Sequence, residues 1–296
     1  MNTFEAQLKD NAKIIDLALD GYLPKVTDFP KELHEAMRYS TMAGGKRIRP
    51  IMVMEAAKLF GLSYDKVLPT ACGIEMIHTY SLIHDDLPAM DDDDFRRGKP
   101  TCHKVFGEAM AVLAGDALLT QAFLSIVGNI SIDGISTTAV IDVIEKVSKA
   151  CGSQGMVGGQ AVDINLSDEN IDEDTLLYIS RHKTGCLITA SLWAGARLAE
   201  ASSEDLEIIT SYGKKIGLLF QIVDDILDFT GDETLLGKPV GSDLKNNKNT
   251  FPKVYGYENS LQLMERLSRE AKQLICAIDN CDFFIKLTDF ILMRQY

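Results

Sequence analysis

Basic residues are in short supply in this sequence, and the shortage limits the partners that the protein can have. Its 30 lysines and arginines face 43 aspartates and glutamates, which gives a formal net charge of −13 at pH 7. Nonspecific binding to nucleic acid requires clustered lysine and arginine in excess, because the phosphate backbone is a polyanion. A general nucleic-acid role is therefore excluded, and basic residues with a function must be concentrated locally.

Paired cysteines and long apolar runs are also missing. The six cysteines form no CxxC motif, and a chain of 296 residues does not need disulfides for stability. No segment reaches the roughly 18 continuous apolar residues of a membrane-spanning helix. The first residues, MNTFEAQLKDN, lack the basic and apolar regions of a targeting signal. We therefore expect a soluble, cytoplasmic protein with reduced thiols and no membrane partner.

Alternating strand patterns are scarce, whereas helical patterns fill most of the chain. Long windows are rich in Ala, Leu, Ile, Met, Glu and Lys. With 46% hydrophobic residues the chain can bury a large core, as one large domain or two smaller ones. The breaks between helical windows are short or charged, and none resembles a Gly/Ser-rich linker. The sequence predicts an all-α fold in a single domain spanning residues 1–296.

Six aspartates crowd the stretch from Ile83 to Arg97, which reads IHDDLPAMDDDDFRR. Neighbouring carboxylates repel one another, so such a cluster is stable at neutral pH only when solvent or cations surround it. A solvated acidic loop is one interpretation. A magnesium site is the other, because Mg²⁺ prefers oxygen ligands and joins one or two carboxylates to a substrate phosphate. Arg96 and Arg97 then follow as candidate phosphate-binding residues.

A second acidic group lies in the helical window GLLFQIVDDILDFTGD. Asp224 and Asp228 are four residues apart and share one helix face, Gln221 lies one turn before Asp224, and Asp225 lies about 100° away around the helix. Like charges at this spacing destabilise a helix unless a counterion is present. Because the neighbouring residues are apolar, exposure to solvent explains this group less well than it explains the first.

The main basic cluster is the turn AGGKRIRP, from Ala43 to Pro50, where Lys46, Arg47 and Arg49 occupy three of four positions. A basic turn is typical of a solvated surface. The glycine pair, however, suits a backbone that approaches a phosphate closely. Both interpretations stay open at this point.

Glycines also interrupt two helical windows. One is GSQGMVGGQAVDI, in which Gln160 and Asp163 share a helix face, and the other places Lys183 and Thr184 directly before Gly185. Each glycine in a helix costs about 1 kcal/mol relative to alanine, so such groups indicate a close helix crossing or the approach of a ligand. The roles of Gln160 and Asp163 stay open.

Seven motifs resemble those of the trans-isoprenyl diphosphate synthases and, within them, the bacterial-type farnesyl diphosphate synthases, and they occur in the same order as in that family. They are GGKRIRP, DDLPAMD with the two additional residues Pro88 and Ala89, RRGKPT, GMVGGQ, HKTG, FQIVDDILD and the glycine- and lysine-bearing loop that follows. The resemblance spans about Ala43 to Pro252. It implies a bundle of long antiparallel helices around a central apolar cavity, with one acidic motif on each of two facing helices at its mouth.

The resemblance implies a magnesium-dependent condensation of isopentenyl diphosphate with an allylic diphosphate. The aspartates of both motifs would bind the metal. Its direct ligands would be Asp85, Asp91 and Asp224. Further direct or water-mediated ligands would be Asp86, Asp225 and Asp228. The allylic diphosphate would contact Arg96, Lys183 and Lys238, and isopentenyl diphosphate would contact Lys46, Arg49, His78 and Arg97. Lys248 is a further substrate-binding candidate, although Asn247 replaces the usual glycine before it. Thr184 and Gln221 would face the carbocation with their dipoles.

Chain length is assigned by the same resemblance. In the bacterial farnesyl branch an aromatic residue five positions before the first aspartate forms the floor of the chain cavity, and Tyr80 occupies that position. Helical geometry alone places Tyr80 about 140° and Ser81 about 40° from Asp85, and so would name Ser81 instead. The resemblance implies a fifteen-carbon product and a homodimer. The C-terminal match is poor, and Arg294 is left without a role.

Three alternatives remain. A geranylgeranyl or longer-chain synthase would share the same motifs, and Tyr80 disfavours it. A terpene cyclase also uses aspartates and magnesium, but it has no need for a second diphosphate site such as the basic turn provides. A noncatalytic metal-binding helical protein would not need phosphate ligands for two substrates.

Overall fold

A computed structural model describes residues 3–166, 170–231 and 249–293. Within these ranges the only strands form one short hairpin, in which β1 (Phe95–Arg96) pairs antiparallel with β2 (Lys99–Pro100). The rest of the regular structure is helical, which confirms the predicted all-α class. The chain forms two compact units, one of residues 1–144 with 197–199 and one of residues 145–196 with 200–296. The single domain over residues 1–296 stays a prediction.

The first unit contains the basic turn and the first acidic stretch. Its helices are α1 (Thr3–Tyr22), α2 (Lys31–Thr41), α3 (Ile48–Leu59), α4 (Leu68–Asp85), α5 (Cys102–Phe106) and α6 (Glu108–Val127), with short 3₁₀ turns at Tyr64–Val67 and Gly128–Ser131. The next helix, α7 (Thr137–Cys151), crosses from the first unit into the second.

Helices α4 and α6 pack antiparallel at the centre of the first unit. A Cβ atom on Gly73 of α4 would lie 2.7 Å from the carbonyl oxygen of Ala122, and a Cβ on Gly115 of α6 would collide with the ring of His84. Both glycines therefore permit close approach, and the sequence order of the two contacts fixes the antiparallel direction. The crossing ends in a buried bond from Ser125 Oγ to the carbonyl oxygen of Pro69, 2.7 Å long.

The second unit contains the second acidic group. Its helices are α8 (Met156–Asn165), α9 (Glu173–Ile179), a π-helical segment (Ser180–Gly185), α10 (Cys186–Leu198), α11 (Ser203–Thr230), α12 (Phe251–Val254), α13 (Tyr257–Ile275) and α14 (Asp282–Met293). The longest is α11, with 28 residues. The side chain of Ser202 caps its N-terminus, and Gly231 ends it in the left-handed conformation.

Close glycine contacts also position α11. A Cβ on Gly217 would lie 2.6 Å from the Cα of Gly185, and a Cβ on Gly213 would lie 3.0 Å from the Cα of Thr189. The backbones of α11 and of the π segment with α10 therefore lie very close together. Next to Gly213, the buried hydroxyl of Tyr212 donates to the carbonyl oxygen of Phe284, at 2.8 Å. This bond ties α11 to α14.

One helical stretch of the described residues, Glu108–Ser131, is long and apolar enough to cross a membrane by length and composition, with a mean hydropathy of 1.7. It satisfies that test although its apolar residues are not continuous, since Asp116, Thr120, Gln121 and Ser125 interrupt them. Only 39% of its apolar window is buried within the chain. An exposed apolar face therefore lies along α6.

Candidate active site

The end of α4 brings two of the predicted ligands together. Asp85 is the last residue of the helix, and the following loop turns back so that the backbone N–H of Asp91 donates to the carbonyl oxygen of Asp85, at 2.9 Å. The loop contains Pro88 and Ala89, the two additional residues of the motif, and both are exposed. The carboxylates of Asp85 and Asp91 thus start from adjacent backbone positions, both partly open to solvent.

Asp86 differs from them because it is buried and already has a cationic partner. Nε of Arg96 donates to its carboxylate at 2.7 Å, and the same guanidinium reaches Asp93 at 3.2 Å. Burial, with smaller contributions from Asp93 and Asp85, raises the pKa of Asp86 to about 6 in spite of Arg96. A small cavity of about 30 Å³ adjoins Asp86 and Arg96, which is room for about one water molecule.

Arg97 lies against the glycine turn. Its guanidinium donates to the carbonyl oxygen of Gly44 and fills the space next to Gly45, where a Cβ would lie 2.7 Å from Cζ. Gly45 has a φ of +123°, which glycine adopts without strain. Because it has no side chain, it permits both the sharp turn and the close contact with Arg97. Burial lowers the pKa of Arg97 from its ordinary value. The basic turn and the β1–β2 hairpin are therefore joined directly.

Arg47, the middle cation of the turn, points into the core. It contacts Glu75 Oε1 at 2.6 Å, Asp16 Oδ1 at 2.8 Å and the carbonyl oxygen of Thr41 at 2.7 Å. Arg47 and Glu75 are 2% and 1% exposed. Arg47 is thus held within the protein and is not available to a ligand. Sequence reasoning overlooked this buried pair, although a glutamate within the apolar window ACGIEMIH signals a buried cation nearby.

Two of the predicted homoallylic ligands contact each other. Arg49 lies on the first turn of α3, and its Nη1 is 3.4 Å from Nε2 of His78 on α4. Loss of solvent around the ring lowers the pKa of His78 well below 6.5, and nearby arginines, first Arg49 and then Arg97, lower it further. His78 is therefore a neutral imidazole near pH 7. Lys46 lies in the same turn and is exposed.

Tyr80 is buried on α4, at 5% exposure, and its ring meets that of His84 edge to face with 5.8 Å between centroids. His84 Nε2 in turn lies 3.0 Å from the carbonyl oxygen of Val112 on α6. Ser81 is half-buried, and its hydroxyl donates to the carbonyl oxygen of His78 at 2.8 Å. Tyr80, and not Ser81, is therefore the bulky buried side chain at this level of α4.

In the second unit, the aspartates on α11 are not equivalent. Both oxygens of Asp225 accept hydrogen bonds within the protein, one from Gln221 Nε2 at 2.7 Å and one from the backbone N–H of Phe251 at 2.9 Å. Asp228 is buried at 2% exposure, whereas Asp224 is half-buried. Asp225 therefore anchors the start of α12 to α11, and Asp224 is the more accessible carboxylate.

Two predicted site residues, Thr184 and Lys183, lie in the π segment, and each has a side-chain partner. Thr184 Oγ1 donates to Gln221 Oε1 at 2.8 Å, and Lys183 Nζ contacts Asp163 Oδ2 at 2.6 Å. A Cβ on Gly159 of α8 would collide with the backbone of Lys183, which confirms the close crossing predicted from the glycines. Asp163, left open by the sequence, is thus the partner of Lys183. Residues Ser180–Gly185 form a π turn, which is wider than an α-helical turn.

Three residues discussed above, Lys238, Lys248 and Arg294, lie outside the described residues. The facing of the two acidic motifs, and the metal and substrate roles of the site residues, stay predictions. Their donor chemistry fits magnesium, since Asp85, Asp91, Asp224 and Asp228 offer only carboxylate oxygens.

Comparison with known proteins identifies the family. The family model described as polyprenyl synthetase matches residues 30–278. The farnesyl diphosphate synthase of Bacillus subtilis is 43% identical over 296 residues, covering 100% of this chain and 99% of the relative. That of Geobacillus stearothermophilus is 48% identical over 248 residues, covering 84% and 83%. The chain belongs to the polyprenyl synthetase family, and the predicted enzyme class, a prenyltransferase, is confirmed.

Other relatives carry different names. A heterodimeric geranylgeranyl pyrophosphate synthase large subunit of Arabidopsis thaliana is 43% identical over 297 residues, covering 99% of this chain and 80% of the relative. Among solved structures, an FPP/GFPP synthase from Zymomonas mobilis in its apo form has a TM-score of 0.87 at 34% identity, with 98% of both chains covered. The fold is thus shared by synthases whose names state different product lengths.

Proposed function

We propose that this prenyltransferase joins isopentenyl diphosphate to dimethylallyl diphosphate and then to geranyl diphosphate, with farnesyl diphosphate as the final product. In each round the allylic diphosphate loses pyrophosphate, the double bond of isopentenyl diphosphate attacks the resulting carbocation, and a proton is lost. One observation carries the proposal. A single compact unit joins a carboxylate loop, Asp85 to Asp91, to the cationic residues Arg96, Arg97 and Arg49.

Loss of pyrophosphate requires the stabilisation of about three negative charges on the leaving group. Arg96 and Lys183 supply positive charge to the allylic diphosphate, and each is held beforehand by a carboxylate, Asp86 and Asp163 respectively. Such partners fix the two cations in place without a ligand. Asp85, Asp91 and Asp224 would hold magnesium, which when bound supplies further positive charge to the leaving group. Asp225, with both carboxylate oxygens engaged in hydrogen bonds, anchors α12 to α11 next to Asp224.

Isopentenyl diphosphate must keep its own diphosphate, and cations without a metal suit that need. Lys46 and Arg49 from the turn, with Arg97 beside it, supply three positive charges. His78 is neutral, so it donates a hydrogen bond and adds no charge. Held in this way, the second diphosphate stays a poor leaving group while its double bond reacts.

From the protein, the carbocation needs dipoles and not a nucleophilic side chain, because the double bond of isopentenyl diphosphate is the nucleophile. Thr184 and Gln221 are already hydrogen-bonded to each other beside the π turn, so their oxygens are oriented before the substrate arrives. The pyrophosphate that has just left is the base for the final proton. The chemistry therefore requires neither a catalytic cysteine nor a histidine dyad.

Product length is the finer part of the proposal, because the relatives include farnesyl and geranylgeranyl synthases at equal identity. The burial of Tyr80 on α4 supports the fifteen-carbon product. The geranylgeranyl product is the second candidate. Incubation with isopentenyl and dimethylallyl diphosphates, with and without Mg²⁺, followed by dephosphorylation and chromatography, should give farnesol only when Mg²⁺ is present.

Variants of α4 test the assignment of Tyr80. Tyr80→Ala should give longer alcohols in the same assay, because it removes the aromatic ring from the floor of the cavity. Ser81→Ala is the matched control, since Ser81 lies one residue along the same helix and should leave the product unchanged. Longer products from Ser81→Ala alone would show that helical geometry, and not the resemblance, names the floor residue.

The exposed face of α6 supports a homodimer, in a protein that works in the cytoplasm. Val112, Leu113, Leu124 and Val127 are 40%, 53%, 63% and 42% exposed, and they lie on one helix. A second copy of the chain is a suitable cover for such a face. Light scattering should show a dimer that Leu124→Glu dissociates, whereas Leu17→Glu, on α1, should leave it intact. A monomeric unmodified chain would contradict the assignment.

A further inference from the structure

A different kind of ligand cluster lies just beyond the aspartates assigned to magnesium. Asp92, Asp94 and His103 each place one ligand atom within 4.8 Å of the others. The two aspartates are exposed, whereas His103 is only 6% exposed. The cluster joins the end of the acidic loop to the start of α5, and none of its members belongs to the six aspartates predicted to bind magnesium.

The hydrogen bonds of His103 determine which ring nitrogen is available. Thr101 Oγ1 donates its only proton to the carbonyl oxygen of Asp93, at 2.8 Å. At its 3.2 Å contact with His103 Nδ1 the hydroxyl therefore accepts, and Nδ1 carries the hydrogen. Nε2 is then the ring nitrogen that is left to bind a metal ion. This atom is buried, and it has no hydrogen-bond partner among the residues that the structure describes.

A buried lone pair without a partner costs free energy, and such atoms are rare in proteins. A bound metal ion satisfies it. A histidine whose other ring N–H donates to a protein oxygen, as Nδ1 does here to Thr101, has the usual arrangement of a metal ligand. The unsatisfied nitrogen thus points to a ligand independently of the two nearby carboxylates.

The backbone around the cluster is well fixed. The N–H of Thr101 donates to the carbonyl oxygen of Asp94 at 3.0 Å, and Phe95 pairs with Pro100 in the hairpin. The N–H of Asp92 donates to the carbonyl oxygen of Leu87 at 3.1 Å. The ligand positions are therefore set by bonds that do not depend on an ion, and only the two exposed carboxylate side chains have to rotate.

We propose that Asp92, Asp94 and His103 form a binding site for a divalent transition-metal ion of the Zn²⁺ type. An imidazole with two carboxylates suits zinc, whereas Mg²⁺ prefers oxygen ligands alone. Ligand atoms about 2.0 to 2.2 Å from a tetrahedral zinc ion lie about 3.3 Å from one another. The three ligand atoms lie within 4.8 Å of one another, so the exposed aspartates would have to rotate to bring their oxygens into that range. The ion would fasten the acidic loop to α5.

Lys104 competes with the ion for one ligand. Its Nζ contacts Asp94 Oδ1 at 2.6 Å, and this hydrogen bond, with the nearby charges of Asp94 and Asp92, raises the pKa of Lys104. Both side chains are substantially exposed, so the pair is readily broken. A bound metal ion has to displace this ammonium group, and removal of Lys104 should therefore tighten the site.

The test uses the full chain, stripped with chelator and then saturated with Mg²⁺ so that the other aspartates are occupied. Equilibrium dialysis against Zn²⁺, with elemental analysis, should show one tightly bound zinc ion per chain, and the bound ion should raise the thermal midpoint. His103→Gln should weaken zinc binding more than about 100-fold, beyond the usual cost of losing a partner that only orients a ligand. Asp92→Asn and Asp94→Asn should weaken zinc binding as well. Because both alter exposed side chains, they test the proposal even if His103→Gln misfolds.

Two controls decide the interpretation. Lys104→Met should tighten zinc binding, whereas Lys149→Met, which removes an equal charge from the exposed pair with Glu145, should not. Cys276→Ser, which removes the exposed thiol, should leave binding unchanged. Three results would overturn the proposal. They are loss of zinc binding in Cys276→Ser, unchanged zinc binding in the His103 and aspartate variants, and an equal change in zinc affinity for the two lysine variants.

Discussion

The buried pair of Arg47 and Glu75 gives the sharpest test of how the basic turn is built. Their side chains are 0% and 2% exposed, and 2.6 Å separates Nη1 from Oε1. Removal of one member of a buried pair costs about 3–5 kcal/mol, because the other charge is left without its partner. Asp16 and Thr41 still contact Arg47, so Glu75→Gln should cost about 3 kcal/mol, near the lower limit.

The change is measured by thermal unfolding at neutral pH. At about 2–4 °C per kcal/mol, the midpoint of the unit that contains Glu75 should fall by roughly 6–12 °C. Glu145→Gln is the matched control, because it makes the same chemical change in an exposed pair with Lys149, where a loss of less than about 1 kcal/mol is expected. Equal midpoints for the two variants would refute the account of Arg47 as the buried anchor of the turn.

Three further predictions concern the site. Asp85→Ala and Asp224→Ala should each lower kcat at least about 100-fold, equivalent to roughly 3 kcal/mol, and unaltered turnover would dismiss direct ligation. Asp163→Asn should lower kcat/KM for the allylic substrate about tenfold, because Lys183 loses its partner; Asp142→Asn, which breaks the pair with Arg197 elsewhere, should not. The lowered pKa of His78 means that the unfolded chain binds its proton more readily, so this contribution to stability is complete above about pH 6.5 and is lost as the pH falls below it. His78→Gln should flatten the unfolding profile in that range, and an unchanged slope would argue against a neutral buried ring.

Local sequence patterns were sufficient for the helical class and for the close crossing between α8 and the π segment. Periodicity and the shortage of strand patterns reflect forces that act over a few residues, and these predict helices well. The glycines of α8 and the π segment signalled a close crossing because their cost has to be offset by contact. The Thr184–Gln221 contact joins residues 37 positions apart, and only the resemblance named these two residues together.

The remaining features depend on contacts between distant parts of the chain. Arg47 was grouped with Lys46 and Arg49 because all three are cations in one turn, yet its left-handed backbone and Glu75, 28 residues away, direct it inward. Asp163 received no role because its partner Lys183 is 20 residues away. Charge and spacing along the chain do not reveal such pairings, and only a folded backbone specifies them.

The central claim is that this chain elongates an allylic diphosphate by successive addition of isopentenyl diphosphate and stops at fifteen carbons. The most direct measurement is the product spectrum from isopentenyl and dimethylallyl diphosphates with Mg²⁺, followed to complete consumption of the allylic substrate with isopentenyl diphosphate in excess. Farnesol is expected as the final alcohol after dephosphorylation, with geraniol only as a transient product. Geranylgeraniol as the main product would contradict the chain-length assignment, and the absence of any condensation would contradict the synthase itself.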